Sequence, residues 1–202
     1  MKRVGTVVLA LVASAWAAGA GDSRYRLEDR RSVGDTAPRR MTKVLVVGIA
    51  EDPNVRNRFE DKLASHLIAK GLPAVASHSI VPSLTAIEDR ERVLSAIERE
   101  NVDGAITVRA VGLDEIGEEG WAAEWEAWVA KESTIRQLVE RTLPLPPKRA
   151  KLYGIEFALW DARPGRLLWA ARTGTCPRRE LQQGVGDLLQ LAIDGLKGAG
   201  WL

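Results

Sequence analysis

Two adjacent carboxylates, Glu51 and Asp52, follow directly on the apolar run Val44-Leu45-Val46-Val47. Acids at the exit of a buried strand are where a hard cation such as Mg²⁺ would be held for phosphoryl transfer. That chemistry also needs an acceptor carboxylate at the end of a later strand. After Ala105-Ile106-Thr107-Val108 the chain places Arg109 there, and an Arg cannot take a phosphoryl group. Nucleotide binding is no better served. Gly48 alone makes no phosphate-cradling loop, and Glu51 and Asp52 would repel phosphate at a helix start. His66 and His78 stand apart, with no Cys near them and no His-x-x-x-His spacing, so no metal centre is expected. No Gly-x-Ser-x-Gly elbow occurs. Asp103, Glu156 and Asp161 are each accounted for as turn or surface groups. Cys176 is the one cysteine, which rules out an intramolecular disulfide; a half-buried free thiol is expected. No catalytic residue and no cofactor are assigned.

The feature that stands out is Trp121, Trp125 and Trp128, spaced to share one face of a helix. Three indoles bury on the order of 150–250 Å² each when packed. Two readings follow. The helix packs on the sheet and the indoles are core, or it protrudes and its Trp face docks an envelope protein or a membrane surface. The second makes Trp121, Trp125 and Trp128 the candidate partner-binding residues.

The elements that would position these groups form one α/β domain over residues 43–202. The run 44–47 fits a strand covered on both faces. Asp52 caps the helix that follows and Pro53 occupies its first position. Val55, Phe59, Leu63 and Leu67 recur at helical spacing, and Gly71 supplies the left-handed C-terminal cap. Pro73–Ile80 reads as a modest second strand. Thr85-Ala86-Ile87-Glu88 fits a capping box before a helix with Val93, Leu94 and Ile97 as its stripe. Ala105–Val111 is the third strand, so the first half reads β-α-β-α-β, with right-handed crossovers making the strands parallel. The Trp-bearing helix, continued by Ile135 and Val139, lies in an insertion over 118–147 that Leu143-Pro144-Leu145-Pro146-Pro147 ends. Leu152–Trp160 and Leu167–Thr173 then form a hairpin about Pro164-Gly165. A last helix after Pro177 carries Leu181, Val185, Leu188, Ala192 and Leu196; Gly184, Gly186 and Gly195 are expected to weaken it. The sum is a mixed sheet of about five strands.

Lys2-Arg3, the apolar run Val7–Ala18 and Ala18-Gly19-Ala20 read as a signal peptide over 1–20. Residues 21–42 are polar, mixed in charge and without apolar period, so a flexible segment is expected. The chain carries 29 basic and 27 acidic residues. Without Lys2 and Arg3 the charge is balanced, which gives no basis for nucleic-acid binding. No Cys near the cleavage site is available for lipidation.

Two segments together carry a resemblance. The first is Lys43–Arg109, with Phe59-Glu60-Asp61-Lys62-Leu63, Lys70-Gly71-Leu72 and Asn101-Val102-Asp103-Gly104-Ala105. The second is Asp161-Ala162-Arg163-Pro164-Gly165-Arg166-Leu167-Leu168-Trp169 within its hairpin. The combination resembles exported envelope proteins, often lipoproteins, of the DUF4136 group. It is also similar to periplasmic α/β domains of curli-channel and penicillin-binding-protein activator lipoproteins. The resemblance implies a periplasmic location and the α/β fold, and it brings no catalytic residues. The expected function is a non-enzymatic binding or assembly accessory protein of the envelope. A self-associating structural domain (a homo-oligomer) ranks second. An envelope hydrolase with a site assembled from separated Asp, Glu, Ser or His residues ranks last.

Overall fold

The computed structural model describes residues 25–33, 37–50, 52–82, 88–130, 150–162 and 165–202. The expected signal peptide, Thr85–Ile87 of the capping box, Ile135, Val139, the proline-rich stretch 143–147 and Pro164 lie outside them. The described residues form an α/β fold around a seven-stranded mixed sheet. Its strands are β1 (Leu27–Ser32), β2 (Val44–Ile49), β3 (Ala74–Ala76), β4 (Gly104–Gly112), β5 (Leu152–Asp161), β6 (Leu167–Thr173) and β7 (Cys176–Pro177). They run β1-β6-β5-β4-β2-β3, with β7 added against β5.

The β2, β3 and β4 strands are parallel, as right-handed crossovers require. β4, β5, β6 and β1 are joined antiparallel. Every residue of β2 is buried, which is what a central strand covered by helices on both faces demands. Helix α1 (Pro53–Ala69) starts as its sequence dictates. The Asp52 carboxylate accepts from the Asn54 N–H at 2.9 Å, and Pro53 takes the first position. It ends at Gly71, whose φ of +82° only glycine adopts without strain.

Helices cover both faces. On one, Phe59, Leu63 and Leu67 of α1 join Leu188, Ala192 and Leu196 of α5 (Val185–Gly198) over Val44, Val46, Ile106, Ile155 and Phe157. On the other, Val93, Ala96 and Ile97 of α2 (Glu88–Arg99) and Trp125 and Trp128 of α3 (Gly117–Ala130) cover Leu45, Val47, Ala105, Ala158 and Trp160, while Trp121 packs with Val111 and Leu113. A short helix α4 (Arg178–Gln183) precedes α5.

Three expectations are corrected. Residues 27–32, within the stretch expected to be flexible, form β1, paired antiparallel with β6. Its exposure alternates residue by residue, and two of its inner positions are the charged Asp29 and Arg31, so no apolar period marks it. The second strand is only Ala74–Ala76, because the chain turns into a 3₁₀ segment at Ser77–Ser79. The last helix is broken at Gly184, and Gly184 and Gly195, unlike Gly186, are close-approach sites. A Cβ on Gly184 would lie 2.4 Å from the Tyr25 ring, and one on Gly195 2.9 Å from Trp169.

Candidate functional site

The sheet face under α3 carries a row of charged groups. Arg109 on β4, Glu156 on β5, Arg172 on β6 and Asp29 on β1 stand in register across four strands. They form a row of alternating sign, and α3 lies over it. Trp121 donates its indole N–H to Glu156 Oε1 at 2.7 Å, and Arg109 donates to Glu156 Oε2 at 3.3 Å. The Arg172 guanidinium sits 5.0 Å from the Trp121 ring centroid, a cation–π geometry. Trp125 donates to Asp29 Oδ2 at 3.0 Å. Arg31 bridges Asp29, at 2.9 Å, to Glu126 on α3, also at 2.9 Å. Burial would raise the pKa of Asp29, but the hydrogen bonds from Arg31 and Trp125 outweigh it and hold the carboxyl below its ordinary range.

The strand beneath is shaped for this contact. A Cβ on Gly154 would lie 2.3 Å from the Trp121 ring, so only glycine lets the indole rest on β5. Trp128 completes the layer with ring centroids 5.1 Å from Trp125 and 5.9 Å from Trp160. Trp160 is anchored by its N–H to Thr107 Oγ1 at 3.0 Å. Trp169, paired with Leu159, packs on the opposite face, against α5.

This corrects the expected partner face. Trp121, Trp125 and Trp128 are only 1%, 1% and 7% exposed, so the indole stripe is packed against the sheet and offers no free docking surface. The physical reason is the charged row: each of two indole N–H groups finds a carboxylate there, which removes the cost of burying it. Asp103, Glu156 and Asp161, expected in turns or at the surface, are buried. Asp103 accepts from the Thr42 and Lys43 N–H groups at 3.0 Å or less, and Arg39 bridges it to Asp161. Burial alone would raise its pKa; these donors turn the shift downward.

A second polar centre lies where β2 meets α1. Arg56 and Glu60, one helical turn apart, are 3% and 0% exposed. Glu60 accepts from Arg56 Nε at 2.9 Å, Gly48 N–H at 2.7 Å, Ser77 Oγ at 2.8 Å and His78 N–H at 2.6 Å. Arg56 donates further to Ser77 Oγ and to the carbonyls of Val81 and Pro82. The ion pair is thus saturated, the condition under which burying one is tolerated. Beside it a cavity of about 30 Å³, bordered by Phe59, Ile155 and Leu188, is large enough for about one or two waters and no larger ligand.

A larger cleft, of about 480 Å³, lies between the turn after α1 and the end of α5. Arg40, Lys70 and Lys197 stand around it, and Met41, Leu72, Ile193 and Trp201 line it. The histidines are elsewhere and apart. Exposed His66 approaches the Lys62 carbonyl, and His78 approaches Asp61. Among the described residues no three His, Cys, Asp or Glu gather as metal ligands would. Cys176 is more deeply buried than expected, at 3% exposed, and burial, helped by the Glu180 charge, pushes its thiol up to about 11. No helix among the described residues is long and apolar enough to cross a membrane.

The sequence reading missed Gly154 and the Arg56–Glu60 pair. A glycine inside a strand is the signal that marks the first, and charges four apart on a helix the second.

The chain matches no protein-family model and no curated protein. Among solved structures it is similar to the PelC dodecamer from Paraburkholderia phytofirmans, with 16% identity and a TM-score of 0.43 over 86% of this chain and 99% of that one. A singly substituted variant of that dodecamer, in a different crystal form, gives 15% identity and a TM-score of 0.42 over the same shares. At this level of similarity neither structure bears on what this chain binds or how it assembles.

Proposed function

We propose that this chain is an exported, non-enzymatic binding or assembly domain of the cell envelope. One observation carries the non-enzymatic part: the deeply buried carboxylates are committed to holding the fold. Glu60 is saturated by four donors, Glu156 is bound by Trp121 and Arg109, and Asp103 by backbone N–H groups and Arg39. A general acid or base must instead keep a lone pair or proton within reach of a substrate. Export rests on the basic, apolar and small-residue succession over residues 1–20, and the periplasm on the resemblance of the two segments quoted above.

The test pairs a crosslinking experiment in the native host with an activity screen of the purified chain. The expected result is N-terminal processing near residue 20, crosslinks to an envelope component, and no turnover of ester, peptide or glycan substrates. Turnover abolished by one buried-carboxylate substitution that leaves the fold intact would overturn the reading. Sedimentation over a range of concentrations separates capture of a partner from self-association.

A further inference from the structure

We propose that the cleft beside the Gly71 turn is an oxyanion site that takes a phosphate group borne on a short apolar body. Its rim carries Arg40, Lys70 and Lys197, all exposed, and no acidic side chain lines it. None of the three cations makes a side-chain hydrogen bond or ion pair among the described residues. That separates them from Arg31, Arg39, Arg56 and Arg109, each of which is matched to a carboxylate.

Lys70 and Lys197 sit at the C-terminal ends of α1 and α5, where a cation balances the helix dipole. That role explains either lysine by itself. It does not explain why two helix ends from different parts of the chain converge on one cleft with Arg40 added. The turn that brings them together is a glycine turn. A Cβ at Gly71 would come 3.9 Å from Arg40 Nη2, so the guanidinium lies beside the α1 exit.

Trp201 lines the cleft and is 3% exposed; its indole N–H, without an acceptor among the described residues, is closed off from solvent, so it reports on the cleft without bonding to what fills it. Three exposed cations with no Asp or Glu among the lining residues select an anion. Met41, Leu72 and Ile193 add apolar surface beside it, and the volume is in the range of small-ligand sites. A multiply charged phosphate, paired with Lys and Arg by charge-assisted hydrogen bonds, fits this set better than a neutral ligand does.

The proposal adds a ligand class to the binding reading above. Turnover in the activity screen would sink that reading and leave the cleft's occupancy measurable. The probes are inorganic phosphate, hexyl phosphate and dihexanoylphosphatidylglycerol below its micelle concentration. They are titrated into the ¹⁵N-labelled full chain while the Trp201 indole resonance, assigned with Trp201→Phe, is followed. The expected result is a saturable shift of that resonance, tighter with hexyl phosphate than with inorganic phosphate. Affinity should fall at least tenfold in the Lys70→Gln/Lys197→Gln variant, whose fold is checked by circular dichroism. Saturation by the phosphatidylglycerol alone would support the site and name a lipid headgroup as the source of the phosphate. No saturable shift with any probe, or a shift undiminished in the double variant, would overturn the proposal.

Discussion

The two faces of the sheet are built on different physics. Under α1 and α5 the contacts, apart from the Arg56–Glu60 pair at the end of β2, are Phe59, Leu63, Leu67, Leu188 and Leu196 on Val, Ile and Phe side chains. That packing is non-directional and scales with apolar area. Under α3 the helix rests on Arg109, Glu156, Arg172 and Asp29, and two of its indoles are fixed by hydrogen bonds to carboxylates. Removing a methylene from the first face costs area. Removing an atom from the second also orphans its partner, and a buried orphan costs more than a bond gains. The α3 indoles are therefore less tolerant of polar change than the apolar contacts of α1 and α5.

The strongest way to break the contrast is at Trp121. Trp121→Ala should destabilise the domain by about 3–5 kcal/mol in denaturant unfolding, the range for deleting a buried aromatic. If the triple replacement of Trp121, Trp125 and Trp128 by polar residues left the fold intact, the assignment of these indoles to the core would fail. Next is Glu156. Glu156→Ala leaves the Trp121 N–H and Arg109 without an acceptor and should cost about 2–3 kcal/mol. A double-mutant cycle with Trp121→Phe should show coupling between the two sites, whereas a cycle between Glu156 and Leu63 of α1 should be additive. Smaller still is Gly154→Ala, expected to cost about 1–3 kcal/mol through overpacking against Trp121. Trp121→Phe in the same chain should recover part of it.

The mildest probe is pH. The folded pKa of Asp29 lies below its unfolded value, so the carboxylate contributes stability above the unfolded pKa of about 3.9. That contribution is lost as pH falls through the folded pKa. The stability difference between the wild type and Asp29→Asn should thus be constant at neutral pH and shrink below about pH 4. A difference that instead grew on acidification would contradict the Trp125–Asp29–Arg31 arrangement.

The same contrast explains what could be read from the residues. β2 and β4 are read from apolar runs and α1 and the β5–β6 hairpin from apolar periods of 3.6 and two, because their partners are mostly apolar and any apolar partner suffices. β1 could not be found that way: Asp29 and Arg31 are inner residues whose partners are charges on other elements. The spacing of Trp121, Trp125 and Trp128 gave a helix and a single face. It could not say where that face pointed, since the deciding acceptors, Glu156 and Asp29, lie 35 and 96 residues away from the indoles they bind. The cleft was likewise illegible. Arg40, Lys70 and Lys197 are separated in the chain and meet only because α1 and α5 end side by side.

The strand order has a consequence for the order of events when the chain is made. The first strand to emerge, β1, has its partner at β6, near the far end of the chain. It must wait, unpaired, while β2, β3 and β4 form a parallel core and β5 is laid antiparallel upon it. Local pairing comes early and the long loop closes late. The mixture of Glu28, Asp29, Arg30 and Arg31 suits that waiting period. A charged strand of this kind resists pairing with strangers until the β5–β6 hairpin offers it an edge.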